Sequence, residues 1–128
     1  MKTARTKRSA LIIGAGGGIG SALVHALCGD DTFEHIFAVS RDSEGQHYPN
    51  DARVHNMSCD NSQQQITSVV DLISQHEALL SRVVICNGIL HHDSLKPEKA
   101  LEQISSTSML EVLEANTVIP TLWLAALA

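Results

Sequence analysis

Runs of consecutive apolar residues alternate along this chain with segments whose apolar positions recur every three or four residues, the signatures of buried strands and amphipathic helices. "SALIIG" (9–14) reads as a buried strand, "IGSALVHALC" (19–28) as a helix with Leu23 and Leu27 one turn apart, and "HIFAVS" (35–40) as a second strand. A polar loop, "RDSEGQHYPNDA", stands where a longer helix could have followed, and a weaker strand lies in "ARVHNMS" (52–58). Ser62 and Gln65 have the spacing of a capping box, ahead of a helix with apolar positions Ile66, Val69, Val70 and Ile73. "SRVVICNG" (81–88) is the fourth strand, and "PEKALEQI" predicts a short helix entered at Pro97. A last helix is predicted from Ser108, with Ser108 and Glu111 as a second capping box, running apolar through "LWLAALA" to the chain end.

Strands alternating with helices pair in parallel through right-handed crossovers, which predicts an α/β class and a Rossmann-like open parallel sheet of order 3-2-1-4. Residues 9–128 are expected to form this domain behind a basic tail, residues 1–8, with no internal repeat. Ligands of such sheets bind beyond the carboxyl ends of the strands, and "GAGGGIG" (14–20), with five glycines in seven positions, falls there. At a strand-to-helix turn, glycines permit positive φ, let backbone amides approach a pyrophosphate and aim a helix N-terminus at the anion. A Walker A loop would end in Gly-Lys-Ser/Thr, whereas Gly20 is followed by Ser21 and Ala22. Gly14, Gly16 and Gly18 fit the G-x-G-x-G of methyltransferases, but Ile12 and Ile13 stand where those enzymes want an acid, and Ile19 breaks G-x-G-x-x-G. What fits is Gly14-x-x-x-Gly18-Ile19-Gly20.

A chain of 128 residues, 44% hydrophobic and 18% charged, matches one soluble domain, and its net charge of −5 argues against a general nucleic-acid binder. The basic start "MKTARTKR" reads as a solvated tail without the apolar core of a signal peptide. No stretch approaches the roughly 20 apolar residues of a membrane span, so a cytoplasmic protein without membrane contact is expected. Cys28, Cys59 and Cys86 lack C-x-x-C spacing and read as buried free thiols. Among seven histidines, His91 and His92 are the obvious pair, but nothing at ligand spacing completes a set and no metal site is expected. His25 and His76 read as histidines on helix surfaces.

The glycine spacing resembles the cofactor loop of the short-chain dehydrogenase/reductase family, and other segments follow in that family's order: Ser40-Arg41, Cys59-Asp60, Cys86-Asn87-Gly88 and "LEANTVIP" with Asn116. The stretch "GILHHDSLKPEKALEQISSTSMLEVLEANTVIP" looks most like the C-factor-like branch. The resemblance covers nearly all of the chain from residue 9 and implies an NADP(H)-dependent oxidoreductase acting on a carbonyl or alcohol. Ile85-Cys86-Asn87-Gly88 departs from the commoner Asn-Asn-Ala-Gly. The family's Tyr-x-x-x-Lys pair is not present: the one tyrosine is Tyr48, and Ala52 stands four positions on. The sequence therefore reads as the cofactor-binding portion of such an enzyme, truncated or processed and inactive by itself, or alternatively as a noncatalytic NADP(H)-binding or interaction module.

The resemblance assigns cofactor binding to Gly14, Gly16, Gly18, Ile19, Gly20, Ser40, Arg41, Asp60, Asn87 and Gly88, and a proton-relay role to Asn116, where helix packing is an equal alternative. Arginine at the end of the second strand accepts a 2′-phosphate, which favours NADP(H) over NAD(H); Asp42, after it, faces solvent or caps the loop. Asp60 could bind the adenine amino group or cap the next helix. Homo-oligomerisation is expected through the fourth-strand edge, the 108–128 helix, or both, because Leu110, Leu113, Val118, Leu122, Trp123 and Leu127 exceed what one sheet face can hide.

Overall fold

The computed structural model describes residues 6–89 and 99–128. They divide into two compact units, Met1–Cys86 and Asn87–Ala128. The expected helix entry at Pro97 and the His91–His92 pair lie outside the described residues.

The first unit is built on a four-stranded sheet of order β3-β2-β1-β4, formed by β1 (Arg8–Ile13), β2 (His35–Ser40), β3 (Val54–Ser58) and β4 (Leu79–Ile85). All three pairings are parallel, so the expected α/β sheet is present in the expected order. Strands β1 and β2 sit inside and are buried from their second residue onward, which is why they read as unbroken apolar runs. Among the described residues β4 pairs with β1 alone and is largely exposed. It starts two residues before the predicted strand and stops at Ile85, which leaves Cys86, Asn87 and Gly88 in a loop.

Helix α1 (Gly18–Cys28) covers one face, where Val24 and Leu27 pack with Ala10, Ile12, Ile36 and Ala38. The alternate residues of the strands, Leu11, Ile13, Phe37 and Val39, are buried on the other side, and α2 (Gln63–Ser74) buries Ile66, Val69 and Ile73. Only half of the expected capping box forms at α2. Ser62 Oγ accepts from Gln65 N–H at 3.3 Å, but Gln65 Oε1 takes the N–H of Asp60 at 2.7 Å and Asp60 takes that of Ser62 at 2.8 Å. Arg53 closes the far end of α1: its guanidinium donates to the carbonyls of Cys28 and Asp30 at 2.7 Å each and of Phe33 at 3.1 Å, while Asp51 holds it at 2.8 Å. Those bonds hold the Asp51 carboxyl at a pKa of about 2.

The second unit carries a short 3₁₀ turn, Leu101–Gln103, and one continuous helical run made of α3 (Ser106–Leu113), a π turn (Glu114–Val118) and α4 (Ile119–Leu127). The cap lies one turn earlier than predicted. Ser105 Oγ accepts from Ser108 N–H at 3.2 Å, so Ser108 is the donor in the capped turn and not the cap. The π turn has a cause in the sequence: Pro120 lacks an N–H and its ring would strike the carbonyl four residues back, at Asn116. The helix widens there, and Ile119 N–H bonds to Glu114. Trp123 is buried, whereas Leu110, Leu113 and Val118 are exposed. The run Ser106–Leu127 spans 22 residues and is long and apolar enough, by length and composition, to cross a membrane. That corrects the expectation that no stretch approaches this length; Glu111, Glu114 and Asn116 interrupt it, and core helices of soluble proteins pass the same test.

Candidate functional site

The carboxyl ends of the four strands align at one edge of the first unit, with Ile13 level with Val39 and Ile85, and Ser40 level with Ser58. The glycine loop crosses this edge, tied down by the N–H groups of Gly14 and Ala15, which share the Val39 carbonyl at 3.0 and 2.9 Å.

The loop's glycines separate into two kinds. Gly14 has φ +81°, and a Cβ on Gly20 would lie 2.1 Å from the Gly14 carbonyl oxygen, so both are required by the protein's own packing. Gly18 is different: a Cβ there would meet no atom of the described residues within 4 Å. Internal packing gives no reason for its bareness, which leaves space for something brought to the loop. Helix α1 starts at this residue, and no side chain among the described residues caps it, so its first-turn amides face outward. Ile19 is 75% exposed beside them.

Two other polar groups stand at the same edge. Ser40 is buried, and its Oγ has no hydrogen-bond partner among the described residues, an unusual condition for a buried hydroxyl. Arg41 follows it into solvent. Asp42 caps the next turn: Oδ1 accepts from Gly45 N–H at 3.2 Å, as one of the sequence readings held. Gln46, which the sequence did not single out, lies over the loop, its amide nitrogen 2.7 Å from where a Cβ on Gly16 would stand. Asp60 lies two residues past the end of β3, exposed, with a pKa lowered by its hydrogen bonds to Ser62, while the cap of α2 is Ser62 itself. Tyr48 is half-buried against the α1-side core, its hydroxyl without a partner among the described residues and its pKa raised by burial. Cys59 is buried and Cys28 and Cys86 are half-buried; burial raises all three thiols, so none is an activated nucleophile.

Within the second unit Asn87, Gly88 and Asn116 come together. Asn116 Oδ1 accepts from Ile89 N–H at 2.6 Å and its Nδ2 donates to the Ile89 carbonyl at 2.8 Å, while a Cβ on Gly88 would stand 3.3 Å from Asn116 Oδ1. The side chain thus clamps the backbone just after Gly88, and it does so from the π turn. Asn87 Nδ2 is buried without a partner among the described residues.

The structure keeps His25 exposed on α1, as read, and overturns the reading of His76. His76 is not on a helix surface but lies past the end of α2, half-buried, with its ring 4.7 Å from that of His35 and 4.8 Å from that of His55. The one available signal was strand parity. Phe37 pairs with His55, and His35, two residues before Phe37, shares its face.

No protein-family model matches the chain, and no curated protein matches it. Solved structures do. The carbonyl reductase Sniffer of D. melanogaster superposes with a TM-score of 0.77 at 20% identity, over 97% of this chain and 51% of its own. A short-chain dehydrogenase from Streptomyces avermitilis gives 0.73 at 19% over 97% and 44%, and an ElxO variant with NADPH bound gives 0.71 at 18% over 95% and 49%. The chain has the fold of short-chain dehydrogenase/reductase structures and spans about half the length of those it matches.

Proposed function

We propose that this chain is the dinucleotide-binding portion of a short-chain dehydrogenase/reductase that uses NADP(H) on a carbonyl or alcohol substrate. The observation that carries the reading is Gly18, bare without an internal reason, at the uncapped start of α1 on the carboxyl edge of a parallel sheet. The partnerless Ser40 hydroxyl is a second mark of fit to a cofactor at this edge. The nicotinamide supplies the hydride when bound. In this reading the α1 amides and the glycine loop hold the pyrophosphate, Ser40 and Arg41 meet the adenosine ribose and its 2′-phosphate, and Asp60 lies toward the adenine. The family resemblance also assigns cofactor contacts to Asn87 and Gly88, and a proton-relay role in an enzyme with the full catalytic set to Asn116, which fixes their loop through Ile89. Tyr48, with Ala52 four residues on, cannot supply the tyrosine-lysine acid, so the chain binds cofactor without reducing carbonyls.

Calorimetric titration tests this. NADPH is expected to bind more tightly than NADH, and Arg41→Ala to remove most of the difference, about 1–3 kcal/mol for a charge-assisted contact. Equal affinities in the unmodified chain would defeat the choice of NADP(H), and no binding of either would defeat the reading itself.

A further inference from the structure

At the opposite end of the sheet from the glycine loop, three histidines from different parts of the first unit converge. His35 opens β2, His55 is the second residue of β3, and His76 follows α2, which runs back over the sheet and delivers its C-terminal end above the strand starts. One ligating atom from each lies within 4.8 Å of those of the other two. His35 Nδ1 and His55 Nε2 are 2.9 Å apart and share a hydrogen. Phe37, fully buried, stacks on His35 and His55 and forms an apolar floor beneath the group.

We propose that His35, His55 and His76 form a binding site for a borderline divalent cation of the zinc class, closed by water in the fourth position. Three imidazoles and a solvent ligand are an established donor set for such ions, and all three rings are half-buried, so one side of the group is open. With Zn–N bonds of about 2.0–2.1 Å, tetrahedral ligand nitrogens stand about 3.4 Å apart. To reach that spacing the His35–His55 pair would open slightly from 2.9 Å, and the other separations, all within 4.8 Å, would close as the rings turn toward the ion. The ring holding the shared hydrogen passes it to its other nitrogen, so the neutral tautomer changes without a net change in protonation. Metal ligation requires neutral imidazoles. Burial and the neighbouring histidines lower the pKa of His55, and burial with His76 lowers that of His35 against the opposing pull of Glu34. The site lies about 17 Å along β2 from Ser40, from five residues at 3.3 Å each, and is separate from the cofactor edge. The ion would staple β2, β3 and the end of α2.

Equilibrium dialysis of the full chain against zinc chloride at pH 7.5, with bound metal counted by mass spectrometry, tests the proposal. One equivalent is expected. His55→Phe, which keeps a ring in place, should weaken binding by roughly tenfold or more through loss of one of three ligands, and His25→Ala, an exposed control, should leave it unchanged. If His55→Phe does not fold, imidazole nitrogen resonances of the unmodified chain replace it: zinc should shift those of His35, His55 and His76 and leave His25 in place. No zinc bound by the folded chain, binding that survives His55→Phe, or shifts confined to other histidines would each overturn the site.

Discussion

Alanine at Gly20 and at Gly18, two residues apart, is expected to act with opposite sign on stability. At Gly20 the added Cβ falls 2.1 Å from the Gly14 carbonyl oxygen and 2.9 Å from Ala15 Cα, against a floor of 3.0 Å for real contacts. Both obstacles are backbone, so the start of α1 must move by about 0.9 Å, the difference between 3.0 and 2.1 Å. Such a shift puts the cost at or above the upper end of the 1–3 kcal/mol range for overpacking, about 3 kcal/mol. For a domain of this size that lowers Tm by roughly 12 °C. Alanine at Gly18 meets nothing, and a first-turn alanine in place of glycine stabilises by about 0.5–1 kcal/mol. The same methyl occupies the space assigned to the pyrophosphate, so NADPH affinity should fall about tenfold or more, roughly 1.4 kcal/mol. Thermal unfolding with and without NADPH reads both effects. A Gly18→Ala chain that binds NADPH like the parent would show that the space serves no cofactor, and a Gly20→Ala chain with unchanged Tm would show that the packing account is wrong.

Arg53→Met keeps the aliphatic stem but removes the donors to Cys28, Asp30 and Phe33, and should cost about 2 kcal/mol, or a Tm lower by roughly 6–10 °C, measured by circular dichroism. Because His35 and His55 titrate below their ordinary value in the folded chain, the unfolded chain takes up protons first on acidification. Their contribution to stability is present above pH 6.5 and lost as pH falls through the folded values; urea midpoints from pH 7.5 to 5 should decline, and His35→Phe with His55→Phe should flatten the decline. Leu110, Leu113 and Val118 are exposed on the long helix and Leu79 on β4, and we propose self-association through these surfaces; sedimentation velocity should show a dimer, and a monomer at tens of micromolar would count against it.

The sheet was legible because burial on both faces writes itself as continuous apolar sequence. β2 falls on the predicted residues, and β1 is displaced by one. The glycine loop was legible as a motif, but its spacing could not say which glycines answer to internal packing and which to a ligand; Gly18 and Gly20 look alike in sequence and differ only in what surrounds the missing Cβ. Helix α3 began earlier than expected because consecutive serines offer several caps of equal chemistry, and only the turn geometry selects Ser105 over Ser108. The histidine group was invisible for another reason. Its members are separated by 20 and 21 residues, and spacing along the chain carries no information about a contact made by strand pairing and a returning helix.

The π turn at Glu114–Val118 holds one residue more than a regular helix would use over the same rise. That surplus and Pro120 make a single mutational unit. A one-residue deletion that leaves Pro120 in place brings its ring back against a carbonyl four residues earlier, and replacing Pro120 alone leaves the surplus residue with nothing that requires it. Only the two changes together give a straight α-helix with Trp123 still turned to its buried side. A deletion elsewhere in Ser106–Leu113 would rotate Trp123 by about 100° relative to the residues before it. A one-residue deletion, which most helices reject, therefore has one tolerated address in this one, and only with Pro120 replaced as well; Asn116 sits at it.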